Sequence, residues 1–349
     1  MKRQSGFSLV ELMVAITLAL LLTGAVISVF IGSRSAYEST AGVGDMSDSG
    51  RMALNLIGES ARSAGSLACN SAMSATSQNV VVNPGAFDRN FGQGVTGFEA
   101  NGTTPPAAIV QPALPVLGAA NNWTPNLGPP LTGPGQPVQG SDVLVFRSSV
   151  PRVTPAYTTA DAAPGAVGLA VTPTSFSVVG AAYAAVSDCT KSVIFQTAAL
   201  ALNATAVTVN AGLPVGFSAG AVVTPLSTTI YYIGVGSDGD SSLFRIEQVN
   251  AVGFNPPEEL VPDIENMQVL YGIDPAGTQT AAAYVTADQV GVLNVVSIQV
   301  ALLVASPAAG KQLPPAVPYN LLGTQVTPPA DNRSRQVFYA TLNLRNAVN

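Results

Sequence analysis

Few residues in this chain could do chemistry, and their types narrow the choice at once. None of the 349 residues is a histidine. That removes the usual base for a serine or cysteine nucleophile and the commonest metal ligand. Gly216-Phe217-Ser218-Ala219-Gly220 fits G-x-S-x-G, but a nucleophile elbow needs a helix after the serine and a base beside it. This run leads into Ala221-Val222-Val223, a strand pattern. Gly234-Val235-Gly236-Ser237-Asp238-Gly239 fits G-x-G-x-x-G, yet Ser241 to Val249 reads as a strand where a dinucleotide site requires a helix. The glycines are those of a hairpin tip. Asp238, Asp240 and Ser242 offer too few oxygens for calcium, and the closing glutamate is missing. Glu258, Glu259, Asp263 and Glu265 form an acidic cluster beside prolines and read as a solvated loop. No catalytic residue, metal or cofactor is expected, and the chain reads as a non-enzyme.

Two cysteines, Cys69 and Cys189, remain. In an exported domain the simplest reading is one disulfide, the alternative being two buried thiols. A bridge would close a loop of roughly 120 residues, worth on the order of 4–5 kcal/mol by the chain-entropy model. Arg333, Arg335 and Arg345 are read as charges flanking a terminal strand. With 10% charged residues and a formal charge of −6, the composition does not suit a nucleic-acid binder.

One acid stands out by its surroundings. Glu11 is the single charge in Phe7 to Ile31, an apolar run preceded by the basic leader MKRQSG. The stretch is long enough to cross a bilayer, and a carboxylate at the bilayer centre would cost roughly 2.5–3.5 kcal/mol. The run is too long for an ordinary cleaved signal peptide, and a plain signal anchor would merely place Glu11 near the headgroups.

Gly6-Phe7-Ser8-Leu9-Val10-Glu11-Leu12 resembles the processing site of type IV prepilins and secretion pseudopilins. The resemblance implies that a membrane prepilin peptidase cuts between Gly6 and Phe7 and that the new amino terminus at Phe7 is N-methylated. Loss of Lys2 and Arg3 with the leader takes the charge from −6 to −8. In a bundle of such helices Glu11 would meet a neighbour's amine, so that the buried charge is paired and sets the register.

Further blocks resemble the PilW branch of minor pilins. They are Arg62-Ser63-Ala64-Gly65 before Cys69, Ser187-Asp188-Cys189, Ile230-Tyr231-Tyr232-Ile233, Leu243-Phe244-Arg245, Leu260 to Val269, and Leu342-Asn343-Leu344-Arg345-Asn346. The resemblance implies a structural subunit of type IV pilus assembly, in a priming or tip complex, supporting twitching motility and adhesion. Its partners would be other pilins and minor pilins, the prepilin peptidase and, before assembly, the bacterial inner membrane. The carboxy-terminal domain would face the periplasm, then the cell surface in the pilus. A J-like pseudopilin of type II secretion and a membrane-anchored periplasmic binding module are the alternatives.

The positioning elements follow from the pattern. Residues 1–6 are the leader, 7–32 the transmembrane part of one long helix, 33–65 its periplasmic half and 66–349 a β-rich domain. Gly42 and Gly44 weaken the helix by about 1 kcal/mol each, so a bend or break is expected there, with Asp48 or Ser49 capping a renewed stretch. Met52, Leu56 and Ser60, with Leu54 and Ile57 alongside, suggest the domain-facing stripe, and Gly65 the stop. Residues 101–140 hold nine prolines and six glycines and read as a loop without regular structure, around the lone Trp123. Strands are expected at 142–147, 192–197, 206–209, 221–223, 229–235, 243–249, 266–272, 295–304 and 336–344. No βαβ alternation occurs. The expected fold is α+β, a long amino-terminal transmembrane helix packed on a largely antiparallel sheet, as in pilins and pseudopilins.

Overall fold

The computed structural model describes residues 8–346 apart from 73, 134, 151–152, 179, 249, 251–252, 292–293, 307–316 and 332, and apart from the side chains of 35 and 39. Gly6 and Phe7 lie outside the described residues. The fold is the expected α+β arrangement: one long helix and a β-rich domain of mostly antiparallel sheets.

Helix α1, Leu9–Ser63, runs 55 residues without interruption, about 80 Å at 1.5 Å per residue. The expected break at Gly42 and Gly44 does not occur, and Asp48 and Ser49 are interior residues rather than caps. Gly42 and Gly50 serve close approach. A Cβ at Gly42 would lie 3.3 Å from the Ser306 side chain, and one at Gly50 only 2.5 Å from the Phe338 ring. Gly44 faces open space, and nothing in the structure explains it. The helix stops as read: Gly65 takes φ +74°, the left-handed value glycine allows, and its amide donates to Arg147 O at 2.8 Å. The buried stripe is Met46, Ala53, Ile57, Ala61 and Ala64, one position away from the expected one. Met52 is exposed. Small residues face inward because the sheet comes close.

Ten principal strands build the domain: β1 Val95–Ala100, β2 Val143–Ser149, β3 Ala182–Ser187, β4 Ser192–Thr197, β5 Val222–Val235, β6 Ser241–Gln248, β7 Glu258–Pro262, β8 Ile264–Ile273, β9 Val295–Ala305 and β10 Arg335–Asn343. The first sheet runs β4-β3-β5-β2-β1, with β6 and then β7 added beyond β5. The second runs β8-β9-β10, with short Ala283–Val285 beside β8. Two short strands pair in parallel, Ser77–Asn79 with β4 and Ala108–Val110 with Thr324–Thr327.

Residues 221–223 and 229–235, read as separate strands, are one 14-residue strand, β5. Pro225 lacks an amide donor, yet it sits near where β5 changes partners, from β3 at 222–225 to β2 at 226–231. There a missing ladder bond is tolerated. The last strand alternates as expected: Phe338, Ala340 and Leu342 turn inward and Tyr339, Thr341 and Asn343 outward.

The main core lies between α1 and the two sheets, with Ile57, Leu144, Tyr231, Met267, Ile298 and Leu302 at its centre. A second core, around Leu169, Phe195, Val207 and Phe217, fills the lobe of residues 153–223. The proline-rich stretch 101–140 differs from its reading. It contains two short strands and a 3-10 turn and covers the outer face of the first sheet. Trp123 is fully buried there against Phe98, Val145 and Ile230, and its Nε1–H donates to Ser141 O at 2.8 Å.

Candidate assembly site

The amino terminus of α1 is built by two side chains. Ser8 is the N-cap: its Oγ accepts from the Glu11 amide at 3.2 Å, while the Ser8 amide donates to Glu11 Oε2 at 3.0 Å. This reciprocal pair is a capping box, and it satisfies two donors that a helix start leaves orphaned. Glu11 also sits where the helix dipole favours an anion. A carboxylate has about four acceptor positions, so one capping bond leaves capacity for an incoming amine. The spacing Ser8-x-x-Glu11 is the sequence signature of such a box.

From Leu9 to Ile31 the helix is exposed on every side, with a mean hydropathy of 2.6 over its most apolar 18 residues. It is long and apolar enough to cross a membrane. Its few hydroxyls are satisfied internally: Thr17 donates to Val14 O, Thr23 to Ala19 O and Ser28 to Ala25 O, at 2.7–2.9 Å. In hydrocarbon an unsatisfied group would cost several kcal/mol. Past the span, Arg34 and Glu38 pair across one turn at 2.9 Å.

The second half of α1 lies parallel to β10. Gly50 faces Phe338, Gly58 faces Leu342 and Gly65 faces Asn346. Eight helical residues rise about 12 Å and four strand residues about 13 Å, so the contacts stay in step. Ser60 Oγ and Tyr231 OH are 2.9 Å apart, and Tyr231 OH donates to Leu56 O at 3.2 Å. Just past the helix, Cys69 and Cys189 form a disulfide with Cα atoms 4.8 Å apart. It ties the helix exit to the β3–β4 turn.

The acidic cluster and the basic group, read separately, are partly one network. Arg333 meets Asp240 at 2.9 Å and also Asp263. Arg335 meets Glu265 at 2.7 Å and Asp331 at 2.6 Å. The Arg335 side chain is almost wholly buried. Burial works against the charge of Asp331, but hydrogen bonds from Arg335 hold its carboxyl below the usual range. Glu258 and Glu259 lie on β7, where Glu258 pairs with Arg245 at 2.7 Å and Glu259 accepts from Ser242 at 2.7 Å. Arg345 stays exposed. Gly216 to Gly220 is a turn running into β5, and Gly234 to Gly239 lies at the β5–β6 hairpin tip, with Gly239 at φ +90°.

One buried group had no sequence signal. Asp142, just before β2, accepts from the Ala100 amide at 2.9 Å and the Val269 amide at 2.8 Å, so it joins the two sheets. Glu99 beside it accepts from Thr103 Oγ1 at 3.1 Å, while its Oε2 is buried without a partner. Burial pushes the Glu99 carboxyl up to about 7, and Asp288 adds to the rise. Burial first, then Glu99, raises Asp142 well above the carboxylate range.

Among the described residues, one long helix is bare and apolar enough to cross a membrane over its first half and packs on a β-rich domain over its second. Residues 1–27 match the prokaryotic N-terminal methylation motif. Residues 230–346 match the family model of type IV pilus-assembly protein W. The two matches fall at opposite ends of the chain and agree with a PilW-family type IV pilin. They support a pilus-related, inner-membrane-anchored protein of a generally structural family. No curated protein and no solved structure matches the chain.

Proposed function

We propose that the chain is a minor pilin of the PilW type. It is cut between Gly6 and Phe7, methylated at Phe7 and held in the bacterial inner membrane with its β-rich domain in the periplasm. It then enters a pilus as a low-abundance subunit of a priming or tip complex, in support of twitching motility and adhesion. Residues 7–32 supply the span and 33–65 the seat for the domain. The observation that carries this reading is the bare helix Leu9–Ile31, apolar apart from Glu11 and covered by none of the described residues. Once out of lipid, such a surface is stable only against other apolar helices. Glu11 keeps its capping bond to Ser8 and offers its remaining acceptor positions to the amine of an adjacent subunit, which fixes the axial register.

The test is incorporation. The mature protein is expected to begin at an N-methylated Phe7 by intact mass. Glu11→Gln keeps the helix cap but loses the charge, and it should be cut normally and fall at least tenfold in sheared pili. Wild-type incorporation of Glu11→Gln, or recovery of the chain with residues 1–6 attached, would overturn the proposal.

A further inference from the structure

A cleft of about 340 Å³ opens where α1 ends, between the first residues of β1, the tail after β10 and the turn Ala287–Gln289. This is within the range of small-ligand sites. Val95, Val290, Val295 and Leu344 supply apolar walls, and Asp288 is the single charged residue among the described lining residues. Tyr271 completes the wall. It is 1% exposed, its hydroxyl has no hydrogen-bond partner, and it rests against Gly97, where an added Cβ would fall 1.8 Å from that oxygen. Glycine at 97 is therefore a condition for the tyrosine to lie here. The walls are thus greasy, the one lining charge is negative, and an aromatic ring carries an unused phenolic oxygen.

We propose that this cleft binds an organic cation with an apolar body, of the primary-amine class. The ammonium pairs with Asp288, and the carbon body lies on the valines and Leu344. A carboxylate beside apolar walls favours such a cation over a neutral molecule of the same shape. Two sources share this chemistry: a free amine, and a lysine side chain presented by an adjoining protein. The cleft belongs to the β-rich domain, so its chemistry holds whether or not the chain enters a pilus.

The experiment uses the full chain in detergent micelles, with protein-free micelles as the blank. Fluorine relaxation measures binding of 4-fluorobenzylamine against 4-fluorobenzyl alcohol, and proton saturation transfer measures Nα-acetyl-lysine amide against Nα-acetyl-norleucine amide. At least one cation should bind about tenfold tighter than its neutral match, and the preference should shrink as salt is raised from about 20 to about 300 mM. Asp288→Asn should reduce it to under about twofold while the chain still unfolds cooperatively. Binding of benzylamine alone assigns a free amine, and binding of the lysine amide assigns a side chain. Equal binding of cation and neutral match, binding of no cation, or a preference unmoved by both Asp288→Asn and salt would overturn the proposal.

Discussion

Glu99→Gln should make the domain more stable above neutral pH, and the gain should grow with pH. Folding moves the Glu99 carboxyl from its ordinary 4.5 up to about 7, through burial first and Asp288 after it. The groups facing it are Asp142 before β2, Asp288 on the turn Ala287–Gln289, Thr103 and Thr104 after β1, and Tyr271 on β8. None is a cation. Between pH 4.5 and about 7 the folded state holds a proton that the unfolded state releases, so stability falls as pH rises through this window. Each pH unit the window spans is worth about 1.36 kcal/mol, so the loss is about 3 kcal/mol when the window is complete. Asp142 is raised partly by Glu99, so the substitution relieves it in the same direction. Glutamine keeps the acceptor for Thr103 and has nothing to ionise. Urea unfolding of the full chain in micelles, disulfide intact, would be followed at about pH 4.5, 6, 7 and 8 for both proteins. The variant-minus-wild-type difference should rise by about 3 kcal/mol across the series. A difference flat with pH, or one that falls, would refute the reasoning.

Replacing both cysteines by serine should cost on the order of 4–5 kcal/mol of stability, read as a lowered urea midpoint. Dithiothreitol should then no longer affect the variant, whereas it should shift the wild type. Gly50→Leu should destabilise by about 1–3 kcal/mol through overpacking against Phe338, and Phe338→Ala in the same chain should recover part of that loss, a coupling that a double-mutant cycle measures.

Much of the fold is legible because its signals are local. The apolar run ending at Ile31, the glycine stop at 65, the hairpin around Gly239 and the alternation from Phe338 to Leu344 each depend on neighbours within a few residues. The capping box at Ser8 and Glu11 is equally local, though its signal is masked by the cleavage motif that overlaps it. What fails is long-range. Gly42 looks like a helix breaker until Ser306 is placed opposite it. Pro225 looks like a strand end until β5 is seen to change partners beside it. Arg335 and Glu265 are 70 positions apart, so neither charge announces the other. Glu99 and Asp142 resemble ordinary polar residues at strand ends, and only burial between two sheets gives them their character. The candidate site divides the same way: Glu11 and the cysteines can be picked out by type, while the Tyr271 cleft exists only through chain crossings.

The parallel run of α1 and β10 also decides how the molecule bears tension. A pull on the rod along its axis is resisted by Gly50, Gly58 and Gly65 against their strand neighbours at the same moment, in the manner of a lap joint loaded in shear. No contact row can be peeled before the next. Beyond the joint, the Cys69–Cys189 bond passes any remaining strain into the outer lobe, so force entering at one end reaches the far end through a covalent link.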